Sequence, residues 1–293
     1  MKRILMTIAA AAIALIAAHA EEKTKVYDFG EITGIDAGYN YEIHVTEGRS
    51  DKVKVVFDSE LESIIEVRYS SVGKRLTLHA KNDFTKRLRN GSTIPVQVYL
   101  EMKNVSSLNI SGAAKVYFDG SFRTENLNLD ISGAAGVSGL EIDGITMDAD
   151  CSGAADVYVT GTFMDKVDLD ISGAAKMVYD GDSKALDADV SGASKFKCSG
   201  RFDECEVKCN GASAATLSGK ATVAEYECAG ASSIDAQDFI VRNVDVELTG
   251  ASKAKVHATG ELRHDVSRTS KMTWFGDAKT INLNNDSNIV KGN

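Results

Sequence analysis

The chain has 293 residues, a net charge of −9, one Pro and 25 Gly. The acidic balance argues against non-specific nucleic-acid binding and suits solubility, cations or basic partners. Few Pro, many Gly and no long helical pattern leave one large β domain or two modest ones.

Residues 1–20 read as an export signal rather than as structure. Lys2 and Arg3 give the positive start, Ile4 to Ala18 the apolar run, and Ala18-His19-Ala20 a small-x-small cleavage site. The run is short for a membrane span, and no second run of spanning length follows. No Cys follows it, so a lipid anchor of the bacterial lipoprotein type is not expected. The mature chain is expected to begin near Glu21, exported to the periplasm or the cell surface.

Residues 21–104 read as an N-terminal β region. Strands are expected at Val26–Phe29, Tyr41–Thr46, Val53–Phe57, Ile64–Tyr69, Leu76–Leu78 and Val96–Leu100. Alternation is clear in Tyr41-Glu-Ile-His-Val45, which predicts a sheet with one wet face. Gly48 to Asp51 and Ser70 to Gly73 are turn signals. Lys81 to Gly91 carries Lys81, Lys86, Arg87 and Arg89, either a basic loop for an acidic glycan or phosphate or a solvated connection.

From about residue 105 to 280 the chain is periodic. A small residue followed by Gly-Ala recurs at Ser111, Ser132, Ser152, Ser172, Ser191, Asn210, Ala229 and Thr249, every 19 to 21 residues. A degraded ninth copy reads Ser267-Arg268-Thr269-Ser270. One residue before the small position stand Ile110, Ile131, Cys151, Ile171, Val190, Cys209, Cys228, Leu248 and Val266, all apolar or Cys. Between this column and a second apolar one lies a mainly acidic column, so the alternation holds in register through every copy. That specifies a strand with one buried and one wet face. Five residues past the small position a second apolar column begins, and Gly recurs nine past it at Gly120, Gly161, Gly181, Gly200, Gly219 and Gly276.

A unit of this length cannot bury its own apolar face, whereas stacked units can. The fold expected is all-β: a right-handed parallel β-helix, or solenoid, of about 20 residues per coil, following the N-terminal strand region. A meander of antiparallel hairpins would also alternate, but it would not need near-constant coil length. Residues 281–293 read as a C-terminal tail.

The Gly of each corner, at Gly112, Gly133, Gly153, Gly173, Gly192, Gly211, Gly230 and Gly250, has two possible reasons. Either it takes φ > 0, or the next coil approaches too closely for a Cβ. The copy lacking Gly is the last, so close approach is the expectation, with Arg268 capping an open end. The five Cys are an odd number. Cys151, Cys209 and Cys228 fall in buried columns as small hydrophobes. Cys205 and Cys209 are too far apart along one strand for a disulfide, while Cys209 and Cys228 in adjacent coils are close enough for one.

The acidic columns are the main chemical feature. Asp130, Asp150, Asp170 and Asp189 stack in one, and Asp148, Asp168 and Asp187 open a parallel one continued by Glu206, Glu225 and Asp245. They form either a face for a basic partner or Ca²⁺, or a solvated face whose charge blocks sheet-to-sheet sticking. No catalytic, cofactor-binding or metal site is expected. His44, His79, His257 and His264 are scattered, and no H-E-x-x-H or G-x-S-x-G occurs.

Leu129-Asp-Ile-Ser-Gly-Ala-Ala135, Leu169-Asp-Ile-Ser-Gly-Ala-Ala175 and Ile94-Pro-Val-Gln-Val-Tyr-Leu100 resemble the exported bacterial family of auto-transporter adhesin, head GIN domains. The resemblance spans about residues 25 to 280. It implies an all-β, β-helix-like fold and a surface or periplasmic location, and supplies no catalytic residues. No terminal membrane barrel is read, so a complete autotransporter is not expected. The function expected is a non-enzymatic envelope protein that binds a protein or glycan through its solenoid surface, with no cofactor. The alternatives are a carbohydrate-active β-helix enzyme and a structural envelope protein. Two acids and a base from different coils meeting in one groove would favour the enzyme.

Overall fold

The computed structural model describes residues 22–81, 96–282 and 288–292. The export signal and most of the basic loop lie outside these residues. The periodic region is a parallel β-solenoid. Leu129 registers with Leu108 on one side and Ala149 on the other, and Ile131 with Ile110 and Cys151. The same register continues coil by coil to Val266. Strands before the corner make one sheet and strands after it a second. The inward columns of both fill one continuous core.

The core is mostly Val, Ile, Leu and Ala, with an aromatic file along the axis. Phe163, Tyr179, Phe202 and Phe239 follow one another at centroid separations of 6.3, 6.5 and 6.0 Å. The Tyr179 hydroxyl donates to the Gly161 and Asp182 carbonyls, so its polar end is satisfied inside.

The sequence-derived strands are all present, most extending one or two residues further. One strand, Gly34–Ala37, has no counterpart among them. It pairs in parallel with Ser107–Ile110, Ile35 beside Leu108 and Ala37 beside Ile110. After it, Tyr41–Glu47 pairs in parallel with Lys115–Asp119. Residues 34–47 are therefore a coil that lacks the Ser-Gly-Ala signature. Its outer neighbours come later in the chain: Arg75–Ala80 lies in parallel beside Gly34–Ala37, and Val96–Met102 beside Tyr41–Glu47. Antiparallel strands close this end, Ile65–Ser70 on one sheet and Lys52–Asp58 with Glu22–Asp28 on the other.

The corners correct the expectation for glycine. All eight corner glycines have positive φ, from 68° to 78°. A Cβ on seven of them, from Gly133 onward, would also lie 2.5 to 2.9 Å from the carbonyl oxygen of the preceding coil's glycine, and on Gly112 it would meet the Tyr39 backbone. That oxygen accepts the N–H of the next coil's Ala, for example Ala174 to Gly153 at 2.7 Å. Both reasons hold together, and the crowding is with the preceding coil, not the following one. Two corners depart, Tyr39 in one respect and Arg268 in both. Tyr39 keeps φ at +74° while carrying a side chain. Arg268 carries a side chain and has no positive φ.

Arg268 is also not an open end. Ile289–Lys291 stacks in parallel on the following strand, with Met272 beside Ile289, and the Asn288 amide donates to the Arg268 carbonyl. At this last corner the Gly250 oxygen takes hydroxyls of Thr269 and Ser270. Trp274 is half-buried over the final coil, with the Lys291 ammonium 4.5 Å from its ring.

Three residues past the small position, Ala114, Ala135, Ala155 and Ala175 give way to Ser194, Ser213, Ser232, Ser252 and Ser270, all buried. Their hydroxyls are satisfied locally: Ser194 donates to Ser191 O, Ser213 to Val190 O and Ser232 to Cys209 O.

All five cysteines are buried free thiols. Cys209 and Cys228 are direct cross-strand partners, and the interaction between the two thiols favours a thiolate on Cys209 and opposes a second one on Cys228. Burial pushes Cys151 up to about 12. In the folded protein no thiol should react with iodoacetamide at pH 8, and all five should react in denaturant. Reaction of three only would mean that Cys209 and Cys228 are oxidised to a disulfide.

Candidate functional site: the acidic sheet

Alternation on the strands before the corner sends one residue in two outward, and the outward ones are mostly carboxylates. Asp130, Asp150, Asp170 and Asp189 are consecutive cross-strand neighbours, as are Asp148, Asp168 and Asp187. The second column continues through Glu206, Glu225 and Asp245. In the first, Lys208 follows Asp189, and Glu227, Glu247 and Asp265 come after it. The structure brings every one of these sequence-derived residues onto one outer face.

The carboxylates are incompletely neutralised. Lys166 bridges Asp168 at 2.6 Å and Asp187 at 3.3 Å, and Lys208 pairs with Glu206. Partial burial holds the carboxyls of Asp150 and Asp170 above the usual range, and the charges of their Asp neighbours add to it. Asp189 is raised by burial against the lowering pull of Lys208. Glu225 is raised by burial, then by Glu206 and Glu227. The corner glycines lie beside this sheet as backbone devices and offer no functional side chain. Among the described residues, no group of three or more His, Cys, Asp or Glu comes together as a metal cage.

The histidines do not converge. His79 pairs with Asp36 at 2.9 Å and His257 meets the Gln237 carbonyl. His264 is buried with Nδ1 unpartnered, and burial pulls its imidazolium below the usual range. One hollow of about 380 Å³ does combine two acids and a base from adjacent coils: Asp245, Glu261 and Arg263 beside Val223, Asn243 and Val244. There Arg263 Nε donates to Glu261 at 2.7 Å, tying the base to one of the acids.

The opposite sheet differs in sign. Lys115, Lys176, Lys195, Lys197, Lys253 and Lys255 project from it, Lys176 directly beside Lys195. It also carries an outward aromatic column, Tyr99, His44 and Tyr117, which the sequence reading did not find. The available signal was Tyr117 and Tyr158 at one shared repeat offset. Tyr99 and His44 lie outside the repeat signature.

A family model described as putative auto-transporter adhesin, head GIN domain matches residues 31–200 and 162–278. Solved structures similar to the chain include a putative adhesin from Parabacteroides distasonis, with 16% identity over 93% of this chain and 97% of that one and a TM-score of 0.49. Another is a putative adhesin from Parabacteroides merdae, with 15% identity over 93% and 97% and a TM-score of 0.48. A third is a putative lipid binding protein from Parabacteroides distasonis, with 15% identity over 93% and 97% and a TM-score of 0.42. No curated protein matches the sequence.

Proposed function

Because the chain belongs to the putative auto-transporter adhesin, head GIN domain family, we propose that it is an exported, non-enzymatic binding protein of the cell envelope whose acidic sheet docks a basic protein surface. The observation that carries this reading is the pair of carboxylate ladders running over successive coils with too few cations beside them. Like charges opposed across strands cost stability, and a cationic partner would remove that cost on binding. A rigid solenoid repeats the charge at strand spacing, which favours an extended basic surface over a single ion.

The test compares wild type with the triple variant Asp150→Asn, Asp170→Asn, Asp189→Asn for retention on cells of the source strain. Retention should fall by about tenfold or more in the variant and weaken in wild type as salt is raised. Unchanged retention would discard this sheet as the contact surface. The hollow at Asp245, Glu261 and Arg263 supports the second reading, a carbohydrate-active enzyme. Reducing ends released from polysaccharide by wild type but not by Asp245→Asn would move the assignment there.

A further inference from the structure

The aromatic column on the lysine-bearing sheet is interrupted by one rung. Tyr99, His44 and Tyr117 stack in turn, with centroids 4.9 and 5.3 Å apart and planes within 12° and 17°. Lys54 closes the outer end, 5.4 Å from the Tyr99 ring. On the next rung Ser138 stands beside Tyr117. On the rung after that stands Tyr158, with the Lys176 ammonium 4.6 Å from its ring. Lys176 belongs to the coil beyond Tyr158, beside Asp156, its ammonium also meets the Tyr158 hydroxyl, and among the described residues no other ring or cation lies against Tyr158. The neighbouring column has the same gap: Lys115, then Gly136, then Asp156. Tyr117 and Tyr158 are each 36% exposed.

Two strand steps put the two tyrosine rungs about 9.6 Å apart. The notch between them has Gly136 and Ser138 as its floor. The register shifts at the floor, between Val137 and Leu140, where Gly139 takes φ +73°, but at Gly136 the fold does not demand emptiness. Gly136 has no positive φ, and a Cβ there would find its nearest atoms at 3.6 and 3.8 Å, ordinary contact. The same repeat position is Lys at Lys115, Lys176, Lys195 and Lys253.

We propose that this notch is a binding site for one hexopyranose ring of a glycan, held between Tyr117 and Tyr158. A ring midway lies about 4.8 Å from each tyrosine plane, within the range of ring contacts. A flat aromatic base, touching each wall at about 3.5 Å, would leave the notch slack. A saturated ring, with C–H bonds standing off both faces, fills it. Its hydroxyls radiate from the rim, where the notch offers complementary groups. The Lys115 ammonium forms no ion pair among the described residues. Among the described residues the Asp156 carboxylate is paired only with Lys176, at 3.6 Å, and Ser138 supplies a hydroxyl at the floor. This site lies on the sheet opposite the acidic one and goes beyond the function proposed above.

The test is an array of oligosaccharides built from glucose, mannose, galactose and N-acetylglucosamine, followed by calorimetry with the best binder. Wild type should bind, and Ser138→Tyr, which fills the gap and continues the ladder, should weaken binding by about tenfold or more. Tyr158→Ala should weaken it too, while the triple Asp variant of the acidic sheet should bind as wild type does. Thermal melts of each variant separate lost binding from lost fold. Absence of binding by wild type to every sugar on the array would overturn the proposal. So would Ser138→Tyr binding as tightly as wild type, or a loss confined to the acidic-sheet variant.

Discussion

Gly173→Ala should destabilise the folded chain by about 2–5 kcal/mol, read from chemical denaturation. Two costs combine there. An L-residue at φ +75° costs about 1–2 kcal/mol, and a Cβ 2.7 Å from the Gly153 oxygen adds an overpacking cost of about 1–3 kcal/mol. Two further glycines separate these costs. Gly181 lacks a positive φ, but its Cβ would fall 1.7 Å from the Gly161 oxygen, so Gly181→Ala should show overpacking alone, about 1–3 kcal/mol. Gly136 has neither constraint, and Gly136→Ala should be neutral or stabilising by about 0.5–1 kcal/mol, since Gly inside a strand is the costlier residue. Equal stability of Gly181→Ala and wild type would show that close approach of the neighbouring coil does not by itself exclude a side chain from this fold.

Neutralising the acidic sheet should stabilise the protein. For Asp150→Asn, Asp170→Asn, Asp189→Asn the expected gain at pH 7 is about 1–2 kcal/mol, a few tenths per relieved like-charge pair, reduced by the solvent exposure of these side chains. Asn already holds the same columns at Asn109 and Asn128, beside Asp130 and Asp148. The pH dependence follows from the raised carboxyls. Between the ordinary Asp value of 3.8 and their higher folded values, the folded form holds more protons than the unfolded one. Stability therefore falls as pH rises through that window, and the full cost is present above it. The variant's advantage should be complete at pH 7, vanish below pH 3.8, and shrink in high salt. A variant that melts below wild type at pH 7 would show that these carboxylates are stabilised by contacts rather than in mutual conflict.

Much of this architecture is legible in the sequence because every coil repeats one physical problem. Inward columns must be apolar, outward ones need not be, and a corner with a single geometry selects a single residue type. The acidic columns follow from the same arithmetic, since a residue's offset fixes both its face and its cross-strand neighbours. Two features escape that arithmetic. Gly34-Ile-Asp-Ala37 has the right alternation, but Gly38-Tyr39 replaces the expected corner, because Tyr39 carries its positive φ without being glycine. The aromatic column draws Tyr99 and His44 from residues joined only by non-sequential pairing, which no repeat spacing encodes. The role of the corner glycine was half visible: composition reports that a Cβ is excluded, and only the backbone angles show that two causes act at once.

The placement of residues 34–47 sets an order of assembly. A polypeptide emerging N-terminus first presents this coil before either of its flanking strands exists. One side waits for residues 75–102 and the other for residues 107–119. Until then both edges of the coil are unpaired, and the loops that must close are long, the slow and aggregation-exposed situation for β chains. Once residue 119 has arrived, each later coil meets an edge that is already formed, and growth becomes a series of additions to a neighbour about 20 residues back. The kinetic bottleneck is thus confined to the first part of the chain, and everything downstream is templated by it.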